Sequence, residues 1–139
     1  MSGMYRLPEF DGGIVIRTDF SDDRAWIGIV TEIRKRHGIF LANLHLIDDR
    51  YFAGLGKAEV AARLAPEPFR SYLFLVDGTS ISHPEHPLLV VELYEGSLAE
   101  FRVAPRAVGV VENNLTLANV DFEEFAASAD ADGIFRQVP

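Results

Sequence analysis

The sequence predicts a single α/β domain spanning residues 1–139. It is built on a mixed, mostly parallel sheet of about five strands, in the order βαβαβ followed by an antiparallel β-hairpin, with helices packed on the sheet and a C-terminal helix. Up to Val76, short apolar β-branched runs alternate with segments of helical periodicity, which is typical of βαβ units. A three-residue link containing glycine then joins two further runs, which favours a hairpin. The length of 139 residues and a hydrophobic fraction of 48% suit one core.

Residues 13–76 are predicted to supply the parallel part of the sheet. Strands are expected at 13–18, 39–47 and 69–76, each bounded by glycine, aspartate or proline. The helix between the first two begins after Ser21 as N-cap and ends at Gly38. Its apolar stripe consists of Trp26, Ile29, Val30 and Ile33. A second helix is predicted at 57–65, before Pro66.

The regular alternation ends after Val76. Residues 77–87 are rich in proline, glycine and serine and are predicted to form a loop. The hairpin strands lie at 88–94, apolar on both faces and therefore interior, and at 98–103, alternating and nearer an edge. Pro105 opens a helix or an irregular segment. A capping box, Asp121 with Glu124, begins the last helix at 122–129.

The net charge of −8 comes entirely from the second half of the chain. Residues 1–66 contain nine acidic and nine basic side chains, whereas residues 67–139 contain twelve acidic and four basic ones. A negative field repels the phosphates of nucleic acids and anionic membrane surfaces, and it favours a basic protein partner or cations. We therefore expect no nucleic-acid and no membrane partner. The alternative is that the charge serves only solubility.

The composition also predicts a location. There is no cysteine, which excludes disulfides and thiolate metal sites and fits a reducing compartment. The longest aliphatic run is 88–91, far too short for a membrane span, and the N-terminus lacks the basic-then-apolar pattern of a signal peptide. A cytoplasmic protein is expected.

Acidic side chains follow each of the three predicted parallel strands. They are Asp19, Asp22 and Asp23 after the first, Asp48 and Asp49 after the second, and Asp77 after the third. Because the carboxyl ends of parallel strands meet at one edge of a sheet, these carboxylates are expected to converge into a binding site. A divalent cation, or the arginines and lysines of a partner, would relieve their repulsion. The alternative is that each aspartate only caps a turn or a helix.

Other polar residues extend the set of candidates. Asn113 and Asn114 are candidate binding residues through their amides, or else they satisfy backbone groups where the chain turns. A metal would have to use carboxylates and imidazoles, and the candidates are Asp19, Asp77, His83 and His86. The prolines beside the two histidines favour a structural role for that segment instead. No catalytic triad, phosphate-binding loop or cofactor motif is present, so no catalytic residue and no cofactor are predicted.

Four blocks of sequence resemble a known family. They are VIRTDFSDD at 15–23, HPEHPLLVV at 83–91, FRV at 101–103 and ENNLTLANVDFEEF at 112–125. Together with Trp26, these blocks are similar to an uncharacterised bacterial domain family, a domain of unknown function. The resemblance extends over most of the chain and implies a single domain. It implies no activity, cofactor or catalytic residue.

Three hypotheses for the function follow. The leading one is a non-catalytic acidic protein-interaction module that binds a basic protein partner, as immunity and antitoxin proteins do. The second is a small Mg²⁺-dependent enzyme that acts on phosphate esters through Asp19, Asp22, Asp48 and Asp77. The third is a structural or regulatory subunit that forms a homodimer through its exposed edge strand.

Overall fold

A six-stranded mixed sheet forms the centre of the molecule. The computed structural model describes residues 4–65 and 70–137. The strands are β1 Gly13–Arg17, β2 Leu44–Ile47, β3 Tyr72–Val76, β4 Leu88–Glu92, β5 Glu100–Val103 and β6 Ile134–Phe135, in the spatial order β2-β1-β3-β4-β5-β6. β1 pairs in parallel with β2 and β3, β4 is antiparallel to β3 and β5, and β6 is parallel to β5. The predicted α/β class, the parallel first half and the antiparallel hairpin are confirmed.

The sixth strand was not predicted. β6 has only two residues, too few for an alternating pattern to be visible in the sequence. It is positioned by a turn in which the amide of Asp130 donates to the carbonyl of Ile134 at 3.0 Å. β5 therefore has a neighbour on both sides, and the edges of the sheet are β2 and β6.

In the described residues, five α-helices pack around the sheet. They are α1 Asp23–Ile33, α2 Lys57–Arg63, α3 Gly78–Ser82, α4 Val108–Thr116 and α5 Phe122–Ser128. The prediction of Ser21 as the N-cap of α1 is wrong, because the carboxylate of Asp22 accepts from the amide of Ala25 at 3.1 Å. The capping box of Asp121 and Glu124 is confirmed at α5.

Two predicted boundaries are wrong for identifiable reasons. Residues 39–43 do not extend β2, because Phe40 pairs with His37 in an isolated bridge and Ile39 is 81% exposed. Residues 77–87 are not a loop throughout, because they contain α3, which Asp77 caps by accepting from the amide of Ser80 at 3.1 Å. Short polar helices of this kind lack the apolar periodicity that predicts longer ones.

The predicted end of the first helix at Gly38 is wrong, because α1 ends at Ile33 with Arg34 as its C-cap. The other helix predictions hold with small shifts. α2 ends at Arg63, two residues before the predicted end. The segment after Pro105 begins as a short 3₁₀ helix, Pro105–Ala107, and continues into α4. Pro66 and the first residue of the predicted third strand, Phe69, lie outside the described residues.

The sheet is buried on both faces. On one face α1, α4 and α5 cover a core that includes Trp26, Phe74 and Val111. On the other face α2 and the segment before β1 cover a second core that includes Phe52 and Leu75. This double coverage explains why β1 and β3 are buried at every position and why all their residues except Arg17 are apolar or aromatic. In the described ranges no helix has the length and apolar character needed to cross a membrane.

Candidate functional site

The predicted aspartates do lie near one edge of the sheet, here called the carboxyl edge because β1, β2 and β3 end there. The parallel registers of these strands bring Asp19, Asp48 and Asp77, the residues that follow them, to that edge. Asp19 lies close to Gly78, the residue after Asp77, because its Oδ2 is 3.4 Å from the position that a Cβ atom would occupy on that glycine. The geometric part of the prediction is therefore sound. The partners of these carboxylates were not foreseen.

A buried arginine neutralises two of them. Arg17, the last residue of β1, is 4% exposed. Its Nη2 lies 2.6 Å from Oδ1 of Asp23, and its Nη1 lies 3.3 Å from Oδ1 of Asp48. The guanidinium also stacks on Phe20 and Trp26, with its central carbon 4.4 and 5.0 Å from the ring centroids. An arginine that ends an otherwise apolar strand was the only sequence signal for this cluster.

A second arginine neutralises Asp77. Arg102 of β5 donates from Nη1 to Oδ1 and from Nη2 to Oδ2 of Asp77, each at 2.8 Å. Burial works to raise the pKa of Asp77, but hydrogen bonds from Arg102 and Ser80 outweigh it and hold the pKa below its ordinary value. Asp77 is therefore a charged structural residue that joins β3, α3 and β5.

A third arginine pairs with the acidic residues near the C-terminus. Arg136 lies within 2.7 Å of carboxylate oxygens of Glu85, Asp130 and Asp132. Hydrogen bonds from Arg136 outweigh the small desolvation of Glu85 and Asp132, and lower the pKa of both carboxyls. Three arginines thus neutralise most of the carboxylates at or near the carboxyl edge.

The other predicted aspartates serve as caps. Asp22 caps α1, and Asp49 caps the short 3₁₀ helix Arg50–Phe52 by accepting from the amide of Tyr51 at 2.9 Å. Asp19 accepts from the amide and the hydroxyl of Ser21 at 2.8 and 2.5 Å. Across residues 4–65 and 70–137, no three histidine, aspartate or glutamate side chains are grouped so that they could hold a metal ion.

The histidine pair stabilises its own loop. Nδ1 of His83 accepts from the amide of Glu85 at 3.0 Å, and Nδ1 of His86 lies 2.9 Å from the carbonyl oxygen of Ser80. His86 also has a left-handed backbone, with φ of 50°. The loop before β4 is therefore held by side-chain to backbone hydrogen bonds, as the structural alternative predicted.

The two asparagines lie away from the aspartates. Asn114 donates to the carbonyl of Val110 in its own helix at 2.8 Å. Asn113 donates to the carbonyl of Leu41 at 3.3 Å and to Oε1 of Glu112 at 3.1 Å. Both asparagines belong to α4, which contacts the segment before β2. They therefore lie near the start of β2, not at the carboxyl edge.

Glu112, the residue before the two asparagines, is a buried polar residue. It is 2% exposed, and its oxygens accept from the amide of Asn43 at 2.7 Å and from the hydroxyl of Thr116 at 2.8 Å, besides the amide of Asn113. Thr116 in turn lies 2.8 Å from the hydroxyl of Tyr72. Burial of the phenol raises the pKa of Tyr72, which keeps it protonated.

An acidic groove lies at the opposite edge, called the amino edge because β1, β2 and β3 begin there. Two adjoining concavities of about 440 and 460 Å³ share Ser71, Tyr72 and Leu115 in their walls. Their carboxylates are Glu9 and Asp11 in the first, and Glu92, Asp121 and Glu123 in the second. We call the two concavities together the acidic groove.

Except for Asp121, which caps α5, the groove's carboxylates have no partner among the described residues. Within the described parts of the chain, the carboxylates that form neither an ion pair nor a side-chain hydrogen bond are Glu9, Asp11, Glu92, Glu95 and Glu123. Four of them line the groove, and Glu95 follows Tyr94, which also lines it. The one arginine in the groove, Arg70, donates to the backbone carbonyls of Gly12 and Phe10 at 2.7 and 2.9 Å, not to a carboxylate.

Comparison with known proteins identifies the family. No curated protein matches the chain. One family model, described as "Domain of unknown function (DUF6924)", matches residues 12–138. Because this match extends over nearly the whole sequence, the protein belongs to that family of domains of unknown function.

Proposed function

We propose that the protein is a non-catalytic interaction module that binds a basic protein partner through the acidic groove. A cytoplasmic location in a bacterium is part of this proposal, and the absence of cysteine fits a reducing compartment. This keeps the leading hypothesis from the sequence but moves the binding surface. Of the strand-end aspartates, three are paired with arginines of the same chain and the other three accept hydrogen bonds from nearby residues, so the partner meets the opposite edge of the sheet.

The observation that carries this proposal is the distribution of unpaired carboxylates. At the carboxyl edge, Arg17 and Arg102 already satisfy Asp23, Asp48 and Asp77. In the groove, Glu9, Asp11, Glu92 and Glu123 form no ion pair with a cation of the described residues, and Arg70, in the same wall as Glu9 and Asp11, is bound to backbone carbonyls. A surface of one charge sign attracts an oppositely charged partner over a distance and accelerates its association.

The groove also has apolar surface of the kind found in protein interfaces. Tyr94 is 62% exposed in its wall, and Leu115, Val120 and Phe122 complete the second concavity. Exposed tyrosines are frequent hot spots in interfaces, because they supply a large rigid contact area with a polar end. An arginine or lysine of the partner can place its aliphatic stem on these side chains and its charge on Glu92 or Glu123.

The contacts of the carboxyl edge support the enzyme hypothesis less well. Asp77 and Asp48 face arginines, and Asp19 and Asp22 accept hydrogen bonds from Ser21 and Ala25. A Mg²⁺ ion prefers several free carboxylate oxygens in near-octahedral geometry. To bind Mg²⁺, the oxygens of these four aspartates would first have to give up the hydrogen bonds that they accept from arginine side chains and from nearby backbone donors.

Capture from a lysate of the native organism tests the proposal. Immobilised wild-type protein is expected to retain a protein of positive net charge and to release it in about 0.5 M salt, where the Debye length falls to about 4 Å. The double variant Glu92→Gln with Glu123→Gln is expected to lose this protein. Both substitutions preserve shape and remove charge.

The matched control removes two charges elsewhere. Glu59→Gln with Glu100→Gln is expected to retain the partner, since Glu59 accepts from the amide of Gly56 in the first turn of α2, Glu100 pairs with Lys57, and neither lines the groove. Glutamine also serves as the third residue of a capping box. Equal capture by the groove variant and the control would refute the proposal. Recovery of only a second copy of this chain would instead favour the homodimer.

A further inference from the structure

The outer side of β2 is an open edge of the sheet. The amide of Gly13 in β1 donates to the carbonyl of Asn43 at 2.9 Å, and the two strands continue in parallel register. Because alternate residues of a parallel strand bond to the same neighbour, the amides and carbonyls of Leu44 and Leu46 point away from β1. Within the described ranges no strand pairs with that side of β2. These four backbone groups therefore face outward, where another strand can reach them.

The other edge of the sheet is protected, whereas β2 is not. β6 has only two residues, and Arg136, which follows it, pairs with Asp130 and Asp132 at 2.7 and 2.6 Å. Short strands and charged side chains are the usual protection of an edge against pairing with another chain. β2 has four residues, with no lysine, proline or acidic side chain among them, and three of the four are only partly buried. It is the edge that can accept one more strand.

One flank of α1 lies beside this open edge. Arg17 holds Asp23, in the first turn of α1, and Asp48, the residue after β2, at 2.6 and 3.3 Å. The flank that begins at Asp23 is therefore on the β2 side. Ile27 and Arg34 follow on the same flank, because side chains four and eleven residues apart lie on one side of an α-helix. Ile27 is 61% exposed, so this flank presents an uncovered apolar side chain between an acidic and a basic end.

The charges at the two ends of this flank are opposite. Where α1 begins and β2 ends, residues 22–24 and 48–50 together with Arg17 hold four aspartates and three arginines. Where α1 ends, residues 32–37 hold three lysines or arginines and one glutamate. Asp23 shares Arg17 with Asp48 and is 75% exposed. A two-fold axis perpendicular to the sheet would place the acidic end of one copy beside the basic end of another, and it would do so twice.

We propose that the protein forms a two-fold homodimer in which the β2 edges of two copies pair antiparallel and join the two sheets into one. The register that uses all four outward groups is centred on His45, and it places Leu44 of one copy opposite Leu46 of the other. The two α1 helices lie side by side on one face, with Ile27 of each copy in their contact. None of these residues lines the acidic groove, so the dimer carries two grooves and goes beyond the proposed function.

Sedimentation equilibrium of the full chain tests the association, at about pH 8, where histidine is neutral. The wild type is expected to change from monomer to dimer between about 1 and 500 µM, as suits an interface of modest area. Hydrogen exchange tests the strand pairing. The amides of Leu44 and Leu46 are expected to exchange at least tenfold more slowly in the dimer, because both become hydrogen-bonded there.

Two variants test the helix contact. Ile27→Glu is expected to weaken association at least tenfold without lowering the melting temperature of the dilute monomer, since Ile27 is 61% exposed. Its matched control is Tyr94→Glu, at a side chain 62% exposed that lies on neither β2 nor α1, and this variant is expected to associate as wild type does. Arg34→Glu places like charges together. It is expected to weaken association at low salt, and added salt, which weakens the wild-type dimer, should no longer do so.

The proposal would be overturned by a chain that remains a monomer at about 1 mM. It would equally be overturned by a dimer in which exchange at Leu44 and Leu46 does not slow, or by Ile27→Glu associating as tightly as wild type. Because no residue of the acidic groove takes part, none of these results bears on the capture of a basic partner there.

Discussion

Replacement of Glu112 by alanine should destabilise the protein strongly, although the residue lies outside any predicted site. Glu112 is 2% exposed and joins α4 to the segment before β2. Its carboxylate accepts from the amide of Asn43 at 2.7 Å, the hydroxyl of Thr116 at 2.8 Å and the amide of Asn113 at 3.1 Å. In the variant these donors lose their acceptor, and an apolar void replaces the side chain.

The expected loss is about 3 kcal/mol in the free energy of unfolding. A hydrogen bond to a charged acceptor contributes about 1.5–3 kcal/mol, so loss of the bonds from Asn43 and Thr116 would cost at most about 3–6 kcal/mol. Both donors belong to exposed residues and recover part of this cost by turning to water. Removal of a buried charge that has no cation beside it offsets part of this cost. For a domain of this size, about 3 kcal/mol corresponds to a fall in melting temperature of roughly 10 °C.

Urea unfolding monitored by the fluorescence of the single tryptophan, Trp26, measures this loss. The conservative control is Glu112→Gln, which retains an acceptor for Asn43 and an amide donor for Thr116 while removing the buried charge. It is expected to stay within about 1 kcal/mol of wild type. A Glu112→Ala variant within 1 kcal/mol of wild type, or a glutamine variant as unstable as the alanine variant, would refute this reasoning.

Two further predictions concern the sheet. Because the pKa of Asp77 is lowered, its pairing with Arg102 stabilises the fold above the ordinary aspartate pKa, and this contribution is lost as pH falls below about 4. In Asp77→Asn, the free energy of unfolding should therefore fall less steeply with decreasing pH than in the wild type. An unchanged pH dependence would assign the acid sensitivity to other carboxylates. Gly12→Ala should lower the free energy of unfolding, measured with urea, by about 2–3 kcal/mol, because an added Cβ would overlap the carbonyl oxygen of Asn43. The control is Gly28→Ala, where an added Cβ meets no other atom. Equal stability of the two variants would contradict the steric explanation.

The sequence predicted the fold better than the site. Strand and helix periodicity were sufficient for β1, α1, β3 and the hairpin, because each is long enough to show its apolar pattern. β6 and α3 were missed because two and five residues show no period. The convergence of Asp19, Asp48 and Asp77 was predictable, since parallel strands end at one edge. Their neutralisation was not, because it depends on which side chain of a distant strand points to that edge.

Long-range pairing explains the error about the acidic surface. Arg102 lies 25 residues from Asp77, and Arg17 lies 31 residues from Asp48. A count of charges along the chain cannot show which of them meet in space. The excess of acidic residues after residue 66 was a correct observation, and three of these residues, Glu92, Asp121 and Glu123, line the groove.

The placement of the groove's carboxylates also has an energetic consequence. Asp121 and Glu123 lie at the start of α5, where the helix dipole favours negative charge. Glu9 and Asp11 lie on a segment that Arg70 holds by backbone carbonyls, so the arginine fixes their position without neutralising them. Like charges held in place repel one another in the free protein, and a basic partner would relieve that repulsion on binding. The groove should therefore gain stability from a basic ligand, whereas the carboxyl edge, already neutralised by its own arginines, has little to gain.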